Sequence, residues 1–246
     1  MRFPVRPAPW CRAVRLLERA LLGRASVRPV LAVASALAQA NDRHWCLRCG
    51  VPLPGAREMP SRVAVGQGPR CAACERLAGF AAFVRLGRYR PPLDGLLRRA
   101  KDRGDHAIVR ELGRRLGDEV ARRLQSPPGG WCVVPVPSSP ARRFARGIDH
   151  AFVLAEAAAR QLGSPTRSAI RSTWRSRQAA LGRRERLGRA AGFRPVRADP
   201  IRGRHVLLVD DIRTTGATLT AAASLLRSMG AASVSAAVVA VAEIDA

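Results

Sequence analysis

Two adjacent aspartates stand at the end of an apolar run in the segment HVLLVDDIRTTGAT. Asp210 and Asp211 follow four apolar residues, which is the pattern of a short buried strand. Two carboxylates at the tip of such a strand repel each other, so we expect a ligand that makes the pair favourable. Carboxylates accept hydrogen bonds from vicinal hydroxyls, such as those of a sugar ring. The pair therefore predicts a site for a diol.

A turn rich in threonine and glycine follows the aspartates and leads into a predicted helix. Its residues are Thr214, Thr215, Gly216, Ala217 and Thr218. Free amides and the dipole at a helix N-terminus favour a phosphate, and glycine lets the backbone approach it closely. A simple helix cap would explain one threonine or aspartate, but not two acids, three threonines and a glycine together. A phosphate beside a diol describes a ribose 5-phosphate.

One rival interpretation of a strand that ends in paired acids is excluded by the rest of the chain. The acidic motif of a P-loop ATPase requires G-x-x-x-x-G-K-[ST] upstream. The only lysine of this chain, Lys101, stands in LLRRAKDRGD, so this loop is not present.

Four cysteines form a second candidate site. Their spacing is C-x2-C, 21 residues and C-x2-C, and they are Cys46, Cys49, Cys71 and Cys74. This spacing is typical of a zinc ribbon with tetrahedral thiolate coordination. Four protein ligands leave no open position on the metal, so we expect a structural Zn²⁺ site. Disulfides in a secreted form of the protein are the alternative.

The elements that must position these residues alternate between strands and helices from Phe83 onward. Apolar residues recur at helical spacing in residues 91–105, 107–125, 148–163 and 216–230, and strand patterns cover residues 131–136, 205–210 and 233–242 and, weakly, 168–170. This alternation predicts a parallel sheet flanked by helices. Ligands of such sheets bind beyond the carboxyl ends of the strands, and the paired aspartates stand at that end.

The chain is expected to have three regions. Residues 1–44 form a helical leader, partly disordered, or reflect a start codon placed too early; residues 27–41 also resemble a secretion signal. Residues 45–80 form the zinc module with the four cysteines, and residues 81–246 form the α/β domain, with a mobile, arginine-rich loop at about 171–195. No apolar run is long enough to span a membrane, and we expect a cytoplasmic protein.

Charge is the most unusual feature of the composition. The chain has 43 Lys+Arg against 18 Asp+Glu, a formal net charge of +25, and all but one of these cations are arginines. Codon bias explains the excess of arginine, and a solvated arginine surface is the simplest interpretation. Attraction to nucleic acid or to a polyphosphate substrate is the functional one. Aromatic residues are only 4%, so platforms for stacking single strands are scarce.

The segment VLLVDDIRTTGAT resembles the phosphoribosyl pyrophosphate (PRPP) signature of the type I phosphoribosyltransferases. More of the chain resembles one branch, the ComF family, in which a cysteine-rich zinc module is joined to such a domain. The matching segments are YRPPLDGLLRRAKDRGD, VVPVPSSPARRFARGIDHAFVLAEAAARQLG and RQAALGRRERLGRAAGF. The resemblance covers about residues 45–242 and implies a type I phosphoribosyltransferase-like fold with a small N-terminal zinc-ribbon-like module.

The resemblance also implies a role for each matching residue. Asp210 and Asp211 would be the catalytic pair that holds the ribose hydroxyls, and residues 214–218 would bind the 5-phosphate. The pyrophosphate side would be formed by Lys101, Pro137, Ser138, Ser139, Arg142 and Arg146. The mobile loop would contribute Gln178 and Arg186. Mg²⁺ would be bound mainly by oxygens of PRPP.

Lys101 is the one lysine in a chain that otherwise uses arginine, and it stands where the family has a lysine. A compact ammonium cannot be replaced by a guanidinium where geometry is tight, so we expect Lys101 to contact phosphate or pyrophosphate. The chain departs from the family in residues 148–150, which are Ile-Asp-His in place of Phe-Asn-Gln.

Two functions are compatible with these features. The first is an enzyme that transfers phosphoribosyl from PRPP to an unknown acceptor. The second is a non-catalytic PRPP-binding module that acts in DNA uptake and natural transformation, with single-stranded DNA or a DNA-uptake helicase as its partner. Both need the same pocket.

Overall fold

The computed structural model describes residues 27–40, 44–53, 60–72, 74, 80–138, 149–173, 192–196 and 201–242. In chain order, the elements are α1 (Val27–Ala40), β1 (Phe83–Arg88), α2 (Leu93–Arg103), α3 (His106–Arg123), β2 (Trp131–Pro135), α4 (His150–Gln161), β3 (Ile170–Ser172), β4 (Phe193–Pro195), β5 (His205–Arg213), α5 (Ala217–Ser228) and β6 (Ser233–Val241).

Four strands form one parallel sheet in the order β1-β6-β5-β2. In the register of its centre, Val206 of β5 lies opposite Cys132 of β2 and Val234 of β6. The predicted α/β class with a parallel sheet flanked by helices is confirmed. Strand β5 continues to Arg213, beyond the end at residue 210 that the apolar pattern indicates.

Apolar side chains cover both faces of the sheet, because successive residues of a strand point in opposite directions. On β5, Leu207 and Val209 pack into a core shared with α1, α2, α3 and α4. Val206 and Leu208 pack on the other side, with residues of α5 such as Leu219. The carboxyl ends of the strands are therefore held in place from both faces.

Strands β3 and β4 pair with each other antiparallel, in a two-stranded sheet. They lie at the two ends of the predicted mobile loop, whose residues 174–191 lie outside the described residues. The weak strand expected at 168–170 shares only Ile170 with β3, and the other residues of β3 and all of β4 lie at the ends of the segment predicted to be a loop.

Helix α1 comes from the region predicted to be a leader, and it packs against the sheet domain. Val33, Ala36 and Ala40 are buried in the same core as α2, α3 and α4. The helix lies against β1 closely enough that a Cβ at Gly87 would be 2.9 Å from the carbonyl oxygen of Ala40. Residues 27–40 are thus part of the core of the domain. Among the described helices, none is long and apolar enough to cross a membrane.

Candidate functional site

The paired aspartates lie near the carboxyl end of β5, and both are partly exposed. The backbone N–H of Asp211 donates a hydrogen bond to Oδ1 of Asp210, at 2.8 Å. Lys101, in the last turn of α2, places its Nζ 2.6 Å from Oδ2 of Asp211. Sequence reasoning expected a ligand to offset the repulsion between the two acids. In the structure, a lysine from a neighbouring helix provides part of that compensation.

The two carboxyls differ in their electrostatic surroundings. Burial, the charge of Asp211 and a smaller contribution from Asp149 raise the pKa of Asp210 to about 8. The amide of Asp211 and the ammonium of Lys101 act in the opposite direction, but they do not offset the burial. Asp210 therefore carries a proton at neutral pH in the free protein, while Asp211 is paired with a cation. A ligand that offers hydroxyls can exchange hydrogen bonds with both.

The turn after β2 lies at the same end of the sheet and is connected to the start of α4. Ser138 Oγ donates a hydrogen bond to Oδ1 of Asp149, at 3.3 Å, and Asp149 immediately precedes α4. The next residue, His150, is buried with its Nε2 3.3 Å from the carbonyl oxygen of Ala100, the neighbour of Lys101. These contacts connect the end of α2, the start of α4 and the turn after β2. Asp149 and His150, two of the three residues that depart from the family pattern, are thus part of this scaffold.

The threonine-rich turn joins β5 to α5 as predicted. Gly216 is the N-cap residue of α5 and has φ 80°, a left-handed conformation that favours glycine. The amide of Ala217 donates a hydrogen bond to Oγ1 of Thr215, at 3.4 Å. Thr214, Thr215 and Thr218 are exposed. The turn therefore presents three accessible hydroxyl side chains at the N-terminus of a 12-residue helix.

The predicted site residues fall into two groups. Those that the structure describes on this edge are Lys101, Pro137, Ser138, Asp210, Asp211, Thr214, Thr215, Gly216, Ala217 and Thr218. Those that lie outside the described residues are Ser139, Arg142, Arg146, Gln178 and Arg186.

Arg213 is a residue of this region that sequence reasoning missed. It is only 6% exposed, and its guanidinium lies 5.6 Å from the centre of the Phe83 ring. Its Nη1 donates a hydrogen bond to the backbone carbonyl of Cys49, in the cysteine-rich segment. A Cβ at Gly216 would lie 3.0 Å from its Nε, so the side chain also packs under the threonine-rich turn. Its position directly before that turn is the only signal the sequence offers.

The four predicted cysteines lie together. Their sulfur atoms are all within 4.8 Å of one another, with Cys46 and Cys74 at 3.0 Å and Cys49 and Cys71 at 3.5 Å. These separations exceed a disulfide bond and approach the roughly 3.8 Å between thiolates on a tetrahedral zinc ion. The four cysteines could therefore hold a metal such as zinc, as predicted, and none of them forms a disulfide.

Hydrogen bonding within this cluster favours one thiolate. A hydrogen bond from Cys49 is the main cause that lowers the pKa of Cys46, to about 4, and Cys74 and the amides of Arg48 and Cys71 add to it. The pKa of Cys49 is raised, first by its hydrogen bond to Cys46 and then by burial. Cys46 therefore favours the thiolate form, which is the form that binds metals, while burial and hydrogen bonds raise the pKa of Cys74 to about 11.

Comparison with known proteins agrees with this geometry. A family model described as "Phosphoribosyl transferase domain" matches residues 148–245. The DNA utilization protein YhgH of Salmonella typhi is 31% identical over 196 residues, which are 77% of this chain and 80% of that protein. Competence protein F of Haemophilus influenzae is 32% identical over 168 residues, which are 65% of this chain and 73% of that protein.

The chain also overlaps, over about half of its length, a solved structure of low identity. The allosteric regulatory enzyme of purine biosynthesis matches 54% of this chain and 25% of its own length, at 20% identity and with a TM-score of 0.40. The two curated relatives, by contrast, match a larger share of the chain and most of their own length. With a phosphoribosyltransferase-type sheet, a cysteine cluster able to hold a metal and relatives of this identity and coverage, the chain belongs to the ComF family.

Proposed function

We propose that this protein binds PRPP at the carboxyl edge of its sheet and transfers the phosphoribosyl group to an acceptor that is still to be identified. The observation that carries the proposal is the juxtaposition at the end of β5. A carboxyl pair, one member of which is held by Lys101, is followed within three residues by an exposed threonine turn at a helix N-terminus. A diol and a phosphate in one ligand match these two features.

Each part of the ligand has a candidate set of residues. The ribose hydroxyls exchange hydrogen bonds with Asp210 and Asp211, and the turn 214–218 binds the 5-phosphate through its amides and hydroxyls. We assign the pyrophosphate side to Lys101, Pro137 and Ser138. Ser139, Arg142 and Arg146, which lie outside the described residues, are assigned to the same side. Gln178 and Arg186, which lie outside the described residues, stay predicted contacts of the ligand.

Metal ions fit both sites by the chemistry of their donors. The carboxylate of Asp211 offers oxygen donors that suit Mg²⁺, which would take most of its ligands from the bound PRPP. Mg²⁺ would supply positive charge next to the pyrophosphate of PRPP. The four thiols suit Zn²⁺, which would stabilise the segment 45–80 as a structural module beside the domain 81–246.

The proposed reaction is a displacement at the anomeric carbon of the ribose. The bond from this carbon to pyrophosphate breaks, and its electron pair leaves with the pyrophosphate, while the acceptor's nucleophile forms the new bond. Positive charge develops on the ribose, near the carboxylate of Asp211, and negative charge grows on the pyrophosphate, near Lys101. Fixed charges at these two positions stabilise the transition state. Since PRPP is an intracellular metabolite, we place the protein in the cytoplasm.

The test is direct. The purified protein is titrated with PRPP and Mg²⁺ by calorimetry, and release of pyrophosphate is then measured with each nucleobase and with single-stranded DNA as acceptor. Saturable binding and pyrophosphate release with one acceptor support the proposal. Binding without release for every acceptor contradicts the transfer step, and no binding contradicts the proposal as a whole.

A second candidate function is a PRPP-binding module without catalysis that acts in DNA uptake. It is favoured by the names of the relatives, DNA utilization protein and competence protein F, and by the net charge of +25. Its partner would be single-stranded DNA or a DNA-uptake helicase. Binding of labelled single-stranded DNA whose affinity falls steeply with salt, without any pyrophosphate release, supports this function over the first.

A further inference from the structure

A small pocket lies between the cysteine-rich segment and the threonine-rich turn. It opens next to Thr215 and Gly216, on the side that faces the segment between the first two cysteines. The residues that line it are Arg48, Cys49, Phe80, Arg213, Thr215, Gly216 and Thr220. Two arginines, two threonines and a helix N-terminus around one opening are the chemistry of an anion site.

Arg48, one of the residues that line this pocket, also has a side-chain N–H without a hydrogen-bond partner among the described residues. It stands between Cys46 and Cys49, and its own amide donates to Sγ of Cys46, at 3.4 Å. Its side-chain Nε is buried and, within the described part of the chain, has no hydrogen-bond partner. A buried guanidinium N–H without an acceptor is costly, so an anionic acceptor at this position would be stabilised.

Arg213 approaches the same pocket from the sheet and is held by the cysteine-rich segment. Its Nη1 donates to the carbonyl of Cys49, and its Nε lies 3.0 Å from where a Cβ at Gly216 would stand. The cysteine-rich segment is itself fixed on β1, because the amide of Phe83 donates to the carbonyl of Leu47, at 2.6 Å. Arg213 therefore connects the cysteine cluster to the threonine-rich turn through direct contacts.

We propose that the cysteine module is part of the phosphate-binding site of this protein. Arg48 binds the 5-phosphate of the ligand directly, and the carbonyl of Cys49 positions Arg213, which supports the turn at Gly216 from below. This inference rests on the proposed function, since it names further residues for the same ligand. It assigns the metal-binding segment a role in ligand recognition as well as in folding.

The test compares three variants: Arg48→Gln, Arg48→Lys and the control Arg110→Gln. Arg110 is exposed on α3 and loses the same charge, so it reports the effect of net charge alone. The probes are PRPP with Mg²⁺ and ribose 5-phosphate, both titrated by calorimetry. Arg48→Gln is expected to lower the affinity for both ligands by about 10-fold or more, because a charge-assisted hydrogen bond to phosphate is lost. Arg48→Lys keeps a charge and is expected to recover part of this loss.

The zinc content and melting temperature of each variant are measured alongside, so that loss of the module is recognised as such. If the wild type binds PRPP and Arg48→Gln binds both ligands as tightly as Arg110→Gln, the inference is wrong and the proposed function stands. If the wild type binds neither ligand, the proposed function itself fails. If Arg48→Gln lowered the affinity for PRPP but not for ribose 5-phosphate, this would contradict a contact between Arg48 and the 5-phosphate.

Discussion

The carboxyl of Asp210 ionises at a much higher pH in the folded protein than the carboxyl of an ordinary aspartate. Its pKa of about 8 in the folded protein compares with 3.8 for an ordinary aspartate, and burial is the main cause. Between about pH 4 and pH 8 the unfolded chain loses this proton and the folded chain keeps it. Asp210 therefore lowers stability progressively as the pH rises through this range, and the loss is complete above pH 8.

The variant Asp210→Asn tests this electrostatic cost. Asparagine cannot ionise and still accepts the hydrogen bond from the amide of Asp211. In the ligand-free protein, we expect Asp210→Asn to match the wild type near pH 4 and to exceed its stability at pH 8 by about 1–3 kcal/mol. Melting curves at both pH values measure the difference. Asp211→Asn, which removes the partner of Lys101, should instead lower stability. If Asp210→Asn showed no pH-dependent gain in stability, the raised pKa of Asp210 would be refuted.

Lys101 is expected to stabilise the free protein and also to bind the ligand. Both side chains of its ion pair with Asp211 are about four-fifths buried, so Lys101→Met should lower the free energy of unfolding by about 1–2 kcal/mol. The same variant should lower the affinity for PRPP by about 10-fold or more. Lys101→Arg keeps the charge, but the planar guanidinium cannot occupy the place of a compact ammonium. We expect it to remain folded and to lose PRPP affinity in calorimetric titration. Unchanged affinity in Lys101→Arg would remove Lys101 from the ligand site.

Arginine is the residue type for which the sequence was least informative. Composition indicates a solvated arginine surface, and Arg110 is exposed as this interpretation predicts. Arg85, Arg123 and Arg213 are instead buried, at 1%, 5% and 6% exposure. Arg85 and Arg123 both lie over the ring of Trp45, at 5.4 and 5.0 Å from its centre. Such burial depends on partners from distant segments, which local sequence patterns do not encode.

At the level of elements, the apolar periodicity predicted most of the sheet domain. Strands β2, β5 and β6 and helices α2 to α5 were expected from their patterns, because each buries a continuous apolar face. Helix α1 was expected as part of a leader and packs in the core. The antiparallel pair β3 and β4 has only three residues in each strand, too few for a periodic pattern. The site at the end of β5 followed from residue types, but its links to Lys101 and Cys49 needed the fold.

The turn between β5 and α5 can be tested by replacing its glycine. Gly216→Ala places a Cβ in a left-handed backbone, at φ 80°, and 3.0 Å from Nε of Arg213. Gly230, beyond the other end of α5, has φ 91°, and a Cβ there meets only the flexible side chain and backbone of Arg202 at 3.3 Å or more. Both alanine variants should lose about 1 kcal/mol of stability through backbone strain.

Only Gly216→Ala is expected to lower the affinity for PRPP, because it moves the turn that we propose binds the 5-phosphate. Thermal unfolding and calorimetric titration of the two variants separate the effects. Equal loss of affinity in Gly230→Ala would mean that the stability of α5, and not the shape of its N-terminus, governs binding.

On the scale of the whole molecule, the cysteine-rich segment and the sheet domain form one continuous structure. The amide of Phe83 in β1 bonds the carbonyl of Leu47, and the ring of Phe83 lies so close to Gly50 that a Cβ there would clash with it. The sheet domain has its own cores on both faces and is expected to keep its secondary structure without the metal. Loss of the metal should therefore act on the ligand site more than on the overall fold.

Removal of the metal that we propose the four cysteines bind tests this connection. After a chelator has removed the metal, the four clustered thiols no longer share a bound ion, and we expect the Cys49 carbonyl to hold Arg213 in place less firmly. We expect the melting temperature to fall, the far-ultraviolet circular dichroism to change little and the affinity for ribose 5-phosphate to fall by about 10-fold or more. Ribose 5-phosphate is the ligand of choice because its binding does not require Mg²⁺, which the chelator would also remove. In Arg48→Gln, the same treatment should cost less affinity than in the wild type, since residues that act on one phosphate are not additive. Full additivity of the two losses, or a loss that added zinc does not restore, would separate the cysteine cluster from the phosphate site.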